Sequence, residues 1–169
     1  MTMRHRTRHI HKTLCDVVLA GLTKDGWITD PLGLAGINYG ATAVTFMEIQ
    51  PEEAGLEIQP NTVAVTLGNQ APMQEAELGG GLYASEYVFY VDVYGESWSV
   101  TASLCDDIRT YVEPLRMQAN DYTTGTAVAS TDHFIEIDEV QEDDPPAAGA
   151  GDRRYWRVLS GVLTVYLPG

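Results

Sequence analysis

Histidine and cysteine are the residues of this 169-residue chain best suited to metal binding, and three of its four histidines lie near its start. His9, His11 and Cys15 fall in a segment whose apolar spacing predicts a helix. Helical side chains that share one metal ion are four positions apart, a spacing that His11 and Cys15 meet and that His9 and His11 do not. Two ligands leave a zinc site incomplete, because zinc takes four. The pattern therefore predicts no metal site in this segment.

His133 is the one histidine outside the first twelve residues. Asp132 precedes it and serines are scattered along the chain, so a Ser/His/Asp set, and with it a small hydrolase, stays open as an interpretation. However, no GxSxG nucleophile motif occurs, and adjacent residues rarely supply two members of a triad. We expect His133 to be a surface residue at the start of a strand, and we expect the protein not to be an enzyme.

Two other segments carry residues typical of ligand sites but lack the full pattern. The acidic residues between positions 136 and 144 do not have the alternating spacing and central glycine of a calcium loop. The three glycines at 79–81 would need a following lysine to hold a phosphate, and no lysine or arginine occurs between Lys24 and Arg109. We therefore expect neither a cofactor nor a bound metal ion.

The net charge of −14 is unevenly distributed. Four of the ten basic residues lie within residues 1–12, whereas the span between Lys24 and Arg109 holds thirteen acidic residues and no basic one. Such a surface repels nucleic acid, which argues against a protein that reads DNA sequence. The basic residues lie at the N-terminal end of the first predicted helix, where the helix dipole disfavours positive charge. Either they are simply solvated there, or they have a partner elsewhere.

The stretch "SEYVFYVDVYGESWSVTASLCDDIRTYVEPL" changes its periodicity halfway along. Alternating β-branched and aromatic residues predict a long central strand up to Tyr94. The apolar spacing that follows predicts a helix, which has Ser97 or Ser99 as its N-cap and ends near Glu113, just before a proline. One long strand therefore leads almost directly into a helix.

A first helix is predicted from about Arg8 to Lys24, because apolar residues recur there at spacings of three and four. The segment between Met117 and Asp132 is polar and is predicted to be a connection. Besides the central strand, four segments have the composition of strands, namely 42–50, 62–68, 133–140 and 153–169. The prediction is an α+β fold, in which a mostly antiparallel mixed sheet of about five strands is packed with two helices.

The length suits a single domain over residues 1–169, with a basic N-terminal segment at 1–12. The segments near 69–85 and 141–152 lack periodicity, and the second is rich in Asp, Pro and Gly, so both are expected to be mobile loops. No apolar run approaches the roughly 20 residues that cross a membrane. No membrane partner is therefore expected.

Aromatic residues are concentrated on the central strand and on the terminal strand. Some of them must form the core and cross-strand pairs. Both faces of these two strands are apolar, however, which is more surface than two helices can cover in a small domain. Surplus apolar strand surface is typical of a subunit interface.

The order of these elements resembles that of the tail terminator proteins of long-tailed bacteriophages. The resemblance spans most of the chain and is carried by the loop "MQEAELGGG" leading into "YVFYVDVYGES", the helix "TASLCDDIRTYVE" and the closing segment "RRYWRVLSGVLTVYLPG". It implies a structural virion protein of the tail or neck that is assembled in the host cytoplasm. Such proteins form a ring, expected here to be hexameric, that caps the tail tube, ends its polymerisation and joins it to the head connector.

The resemblance also implies partners. These are sister copies in the ring, the tail tube protein, and a head–tail connector or stopper protein. DNA is expected to pass through the lumen without specific binding, because an acidic wall does not hold phosphates. The alternative is a head-closure or neck connector protein of the same head–tail interface, and a monomeric binding module is a third class.

A closed ring of identical subunits needs two different complementary patches on each subunit. We expect the aromatic sheet surface to form one patch and the loop at 69–85 to form the other. The basic N-terminal segment is expected to contact an acidic patch on a neighbour. The candidate interface residues are Arg4, Arg6, Arg8, Glu75, Glu77, Tyr83, Tyr90, Tyr94, Tyr155 and Trp156.

Overall fold

The computed structural model describes residues 6–28, 44–49, 55, 61–70, 74–75, 82–143 and 155–168. Within these residues there are two helices, α1 (Arg6–Lys24) and α2 (Trp98–Val112). The strands are β1 (Thr45–Met47), β2 (Thr62–Gln70), β3 (Gln74–Glu75), β4 (Leu82–Tyr94), β5 (Leu115–Asp121), β6 (Val128–Ile137), β7 (Val140–Asp143) and β8 (Trp156–Pro168). Neither described helix has the length and the apolar composition that crossing a membrane requires.

All eight described strands belong to one mixed sheet, whose main order is β1-β2-β4-β8-β6-β5. The short strand β3 pairs with β4 beyond the end of β2, and β7 pairs with β8 beside β6. The pairing of β1 with β2 is parallel, and the other pairings are antiparallel. The predicted α+β class is therefore confirmed, and the sheet has more strands than the five expected.

The extra strands come from segments that were predicted to be connections. The polar segment between Met117 and Asp132 contains most of β5 and the first half of β6. The predicted loop at 69–85 is shortened by β2, which runs to Gln70, by β3, and by β4, which begins at Leu82. The predicted loop at 141–152 begins with β7. The remaining residues of both loops lie outside the described part of the chain.

Both helices pack on the same face of the sheet, which we call the inner face. On β4 this face carries Tyr87, Phe89, Val91 and Val93, all of which are fully buried. They belong to one continuous core that also includes buried side chains of α1 and α2, among them Ile10, Leu14, Val18, Leu104 and Ile108. The alternation predicted for the central strand is confirmed, because every second residue points into this core.

The helix ends follow the signals in the sequence. Gly26 has a positive φ of 84° and closes α1 in a Schellman motif, in which the Trp27 amide donates to the Leu22 carbonyl at 2.8 Å. The Ser97 side chain caps α2 by accepting a hydrogen bond from the Val100 amide at 3.3 Å. The strand β4 therefore reaches α2 through only three residues.

Strand β5 packs on the core through Ala119, which is buried, and Leu115 and Met117, which are partly buried, and its C-terminal end also forms hydrogen bonds with helix α1. The Tyr122 amide, just after β5, donates to Nδ1 of His9 at 3.1 Å, and the two rings stack with centroids 6.1 Å apart. The Asn120 amide donates to the Thr13 hydroxyl at 3.0 Å, and the Tyr122 hydroxyl donates to Asp16 at 2.6 Å. These contacts join residues more than one hundred positions apart and hold α1 against the β5–β6 hairpin.

A testable consequence concerns Gly161 in β8. A Cβ atom at this position would lie 2.7 Å from the Glu139 carbonyl oxygen and 2.9 Å from the Phe89 ring. We expect Gly161→Ala to lower the free energy of unfolding by about 1–3 kcal/mol, because both neighbours are fixed by the sheet and the core. Denaturant unfolding measures this loss. Val162→Thr, an isosteric change at the next, exposed position, should stay within about 0.5 kcal/mol of the wild type. Equal stabilities for Gly161→Ala and Val162→Thr would contradict the close approach of the Glu139 carbonyl and the Phe89 ring to Gly161.

Candidate functional site

The candidate site is the sheet surface opposite the helices, which we call the outer face. Its centre is formed by β4 and β8, which pair residue by residue along their full described lengths. Val88 lies directly opposite Val162, Glu86 lies opposite Thr164, and Tyr90 lies opposite Ser160. Because side chains of facing residues lie about 5 Å apart, these residues form one continuous patch.

The patch exposes large apolar side chains at the middle of the sheet, where burial is expected. Val88 is 40% exposed, Val162 is 45% exposed and Tyr90 is 39% exposed. Phe134 on the neighbouring strand β6 is 38% exposed. Single exposed apolar residues are ordinary, but a contiguous group of this kind marks an interaction surface.

A groove of about 580 Å³ runs beside the two valines and is bordered by carboxylates. Glu86 lies on the β4 side, and Asp138 and Glu139 lie on the opposite side. Asp138 is neutralised by Arg116, whose guanidinium donates to it at 2.7 Å. Within the described residues, Glu86 and Glu139 have no such basic partner. The groove therefore combines two exposed valines, set among polar lining residues, with two carboxylates that have no basic partner in the part of the chain that the structure describes.

At one end of the outer face, two aromatic side chains of the same chain cover each other. Tyr94 and Trp156 stack there with ring centroids 5.0 Å apart, and they are only 4% and 7% exposed. The Trp156 indole donates to the buried Asp92 carboxylate at 2.9 Å. Tyr94 and Trp156, which the sequence suggested as interface residues, therefore offer little contact surface and instead stiffen the sheet beneath it.

The other candidate interface residues are not brought together at one place. Tyr90 lies in the outer face, whereas Tyr155 is half-buried and its carbonyl accepts a hydrogen bond from the Thr101 hydroxyl at 2.9 Å. The backbone of Glu75 pairs with that of Tyr83, which extends the edge of β4. The valines at the centre of the patch were not predicted as interface residues, although they share the period-two alternation of Tyr90.

The two described basic candidates, Arg6 and Arg8, lie at the start of α1, away from the outer face of the same chain. Arg6 is half-buried and Arg8 is exposed, and both are on the helix that packs on the inner face. Arg4 and Glu77 lie outside the described residues. The described part of the basic segment, residues 6–12, and the acidic groove are thus on opposite faces of one sheet.

His133 is buried, so the prediction of a surface histidine is wrong. It is 2% exposed because it lies inside β6, two residues before Ile135 and on the same inner face. Its Nδ1 lies 3.2 Å from the Ser130 hydroxyl, whereas its Nε2 has no hydrogen-bond partner among the described residues. A hydrolytic histidine contacts a nucleophile through one nitrogen and a carboxylate through the other. The described geometry supplies only the first of these contacts.

The histidines and cysteines of the two helices are engaged in packing. His11 donates through Nε2 to the Val65 carbonyl at 2.8 Å, and the Cys15 sulfur lies 3.4 Å from the same nitrogen. Burial raises the pKa of Cys15, and it raises the pKa of Cys105 to about 12. Both are buried free thiols that stay protonated at neutral pH. Among the described residues, no three potential metal ligands lie close enough to share an ion.

Comparison of the sequence with models of protein families finds no match, and comparison with curated proteins finds none either. The function is therefore argued from the exposed outer face, its acidic groove and the charge of the chain.

The buried His133 predicts a pH dependence of stability. Burial lowers its pKa below the ordinary value of 6.5, and nearby Arg6 lowers it further, while Asp132 and Asp121 act in the opposite direction. As the pH falls through 6.5, the unfolded chain takes up this proton before the folded chain does, so stability is present above this pH and is lost below it. Denaturant unfolding at pH 7.5 and 5.5 measures the loss. We expect a smaller loss in His133→Gln, which does not titrate there. Equal losses in both proteins would show that His133 is not responsible.

Proposed function

We propose that this chain is a structural protein of a bacteriophage virion, similar in role to the tail terminators. It forms a ring of sister copies, most simply six, on the end of the tail tube. The ring ends polymerisation of the tube, joins it to the head connector and lets DNA through. Its function is then to bind other virion proteins and to determine how they assemble, and it needs no cofactor.

The exposed apolar patch on the outer face carries this proposal. Val88 and Val162 belong to the two longest strands of the sheet, yet no described element covers them. The second face of a mostly antiparallel sheet can face water, but a contiguous apolar patch on it is typical of contact with another layer or another subunit. A ring of identical subunits provides that cover repeatedly, because each subunit presents one patch to the neighbour ahead and a different patch to the neighbour behind.

The charge of the chain supports a role around DNA rather than on it. With a formal net charge of −14 per copy, a ring of several copies is strongly negative overall, and we expect its lumen to be acidic as well. Such a wall does not retain the phosphates of a passing duplex, so DNA moves through without a binding step. A protein built to hold DNA has the opposite charge balance.

The proposed partners follow from this position. One side of the ring binds the tail tube protein, and the other side binds a head–tail connector or stopper protein. Assembly in the host cytoplasm precedes incorporation into the virion. A head-closure or neck connector protein would also form a ring but would bind a different neighbour. Binding of the ring to tail tubes therefore distinguishes a tail terminator from a neck protein.

Electron microscopy of the purified chain, alone and mixed with tail tubes encoded in the same genome, tests the proposal. We expect rings, and we expect tubes that carry one ring at an end and no longer grow. Rings that bind connectors but ignore tubes would assign the chain to the neck layer. Single small particles under both conditions, with tubes that keep growing, would overturn the proposal.

The same assay tests the role of the outer face. Val88→Asp and Val162→Asp place charge in the patch at exposed positions, so they should abolish ring formation while the chain stays folded. Val128→Asp is the matched control, because Val128 is 55% exposed and lies at the far end of β6. It should assemble like the wild type. Normal assembly of the Val88 and Val162 variants would show that the outer face is not the interface.

A further inference from the structure

The outer-face groove has the chemistry of a site for a basic, partly apolar peptide. Glu86 and Glu139 lie on opposite sides of it and have no basic partner within the described residues, and Val88 and Val162 form its floor. Carboxylates in such a place favour arginine, which donates several hydrogen bonds from one planar group. The valine floor favours flexible apolar side chains such as methionine.

The N-terminal segment of this chain has that composition. Residues 1–5 read "MTMRH", and Arg8 follows on the exposed side of α1. Arginines at the N-terminal end of a helix are opposed by the helix dipole, and the first turn of α1 contains no acidic residue to balance them. Their position costs helix stability, which is consistent with a binding partner outside the helix.

The groove of the same chain is an unfavourable place for this segment. Residues 1–5 lead into α1, which packs on the inner face, whereas the groove lies on the outer face. Five residues span at most about 17 Å, and within that length the segment would have to pass around the edge of the sheet. A neighbouring copy is not under this constraint.

We propose that residues 1–5 of each copy, together with Arg8, bind in the outer-face groove of the next copy. Arg4 and Arg8 pair with Glu86 and Glu139, and the methionines rest on the two valines. The contact is heterologous, since one copy contributes the segment and the other contributes the groove, and such contacts close into rings. The inference rests on the proposed ring and names the two surfaces that hold it together.

A charge exchange in the full chain tests this contact. One variant, Arg4→Glu/Arg8→Glu, reverses the segment, and another, Glu86→Arg/Glu139→Arg, reverses the groove. Arg8, Glu86 and Glu139 are exposed, and an acidic residue in the first turn of α1 is favoured by the helix dipole, so both variants should fold. Size-exclusion chromatography with light scattering is the readout. Each variant alone should be monomeric, and an equimolar mixture should recover the oligomer, because each segment then meets a groove of opposite charge.

A third variant that carries all four substitutions distinguishes contacts within a chain from contacts between chains. Under the proposal it also assembles by itself, since its own copies are complementary. If the four-substitution variant assembles but the equimolar mixture stays monomeric, the segment binds its own chain and the proposal is wrong. Oligomers of either two-substitution variant that are as stable as the wild type would also overturn it.

Binding of a fluorescent synthetic peptide of residues 1–8 to the groove can be measured directly by fluorescence anisotropy. The receptor is the full chain with Arg4→Glu/Arg8→Glu, because the groove of this variant is not occupied by the segment of another copy. We expect Glu86→Gln/Glu139→Gln, added to this background, to weaken binding by roughly tenfold or more, because the groove loses its charge without becoming complementary to the reversed segment. Asp106→Arg, at an exposed position of α2, should leave binding unchanged. Absence of peptide binding would overturn the inference. If oligomers form, depend on both the segment and the groove, and never cap tail tubes, the proposed function is wrong while the proposed contact between copies is supported.

Discussion

The antiparallel pairing of β4 with β8 is the constraint on which the other features of the structure depend. Each strand has 13 residues, and the two stay in register over their whole described lengths. Because side chains alternate between faces, this register decides at once which residues enter the core and which are left outside. It places Phe89 and Val91 under the helices, and it places Val88 opposite Val162 on the uncovered side. A slip of one residue would exchange the two sets.

The outer face and the charge of the chain together limit how copies can associate. Copies that each have a formal net charge of −14 repel one another, so the proposed contact at the outer face has to be accompanied by local charge compensation. Four of the ten basic residues lie at positions 1–12, and those that the structure describes are on α1, which packs on the side of the sheet away from the acidic groove. Two unlike surfaces on opposite sides of one subunit favour head-to-tail contact, which generates rings, over the face-to-face contact of a two-fold dimer.

The central strand, both helices and their caps could be predicted from the sequence, because their periodicity and capping residues are local signals. The strands within the polar segment 117–132 could not, since their stability comes from α1, through contacts such as that of His9 with the Tyr122 amide. The candidate site was predictable only in part. The alternation of residues along the strands showed which side chains share the outer face. It did not show that Tyr94 and Trp156 stack on each other there and become buried. That depends on the register of strands more than sixty residues apart.

The central claim is that a sister copy covers the outer face, and photo-crosslinking from Tyr90 tests it most directly. With p-benzoylphenylalanine at position 90, irradiation of the purified protein should give a covalent dimer of about twice the chain mass of 18.5 kDa. The crosslink should map to a segment of the partner copy, and the same probe at Val128 should give much less dimer. Recovery of the uncrosslinked 18.5 kDa chain alone, at concentrations well above those used for assembly, would contradict the account.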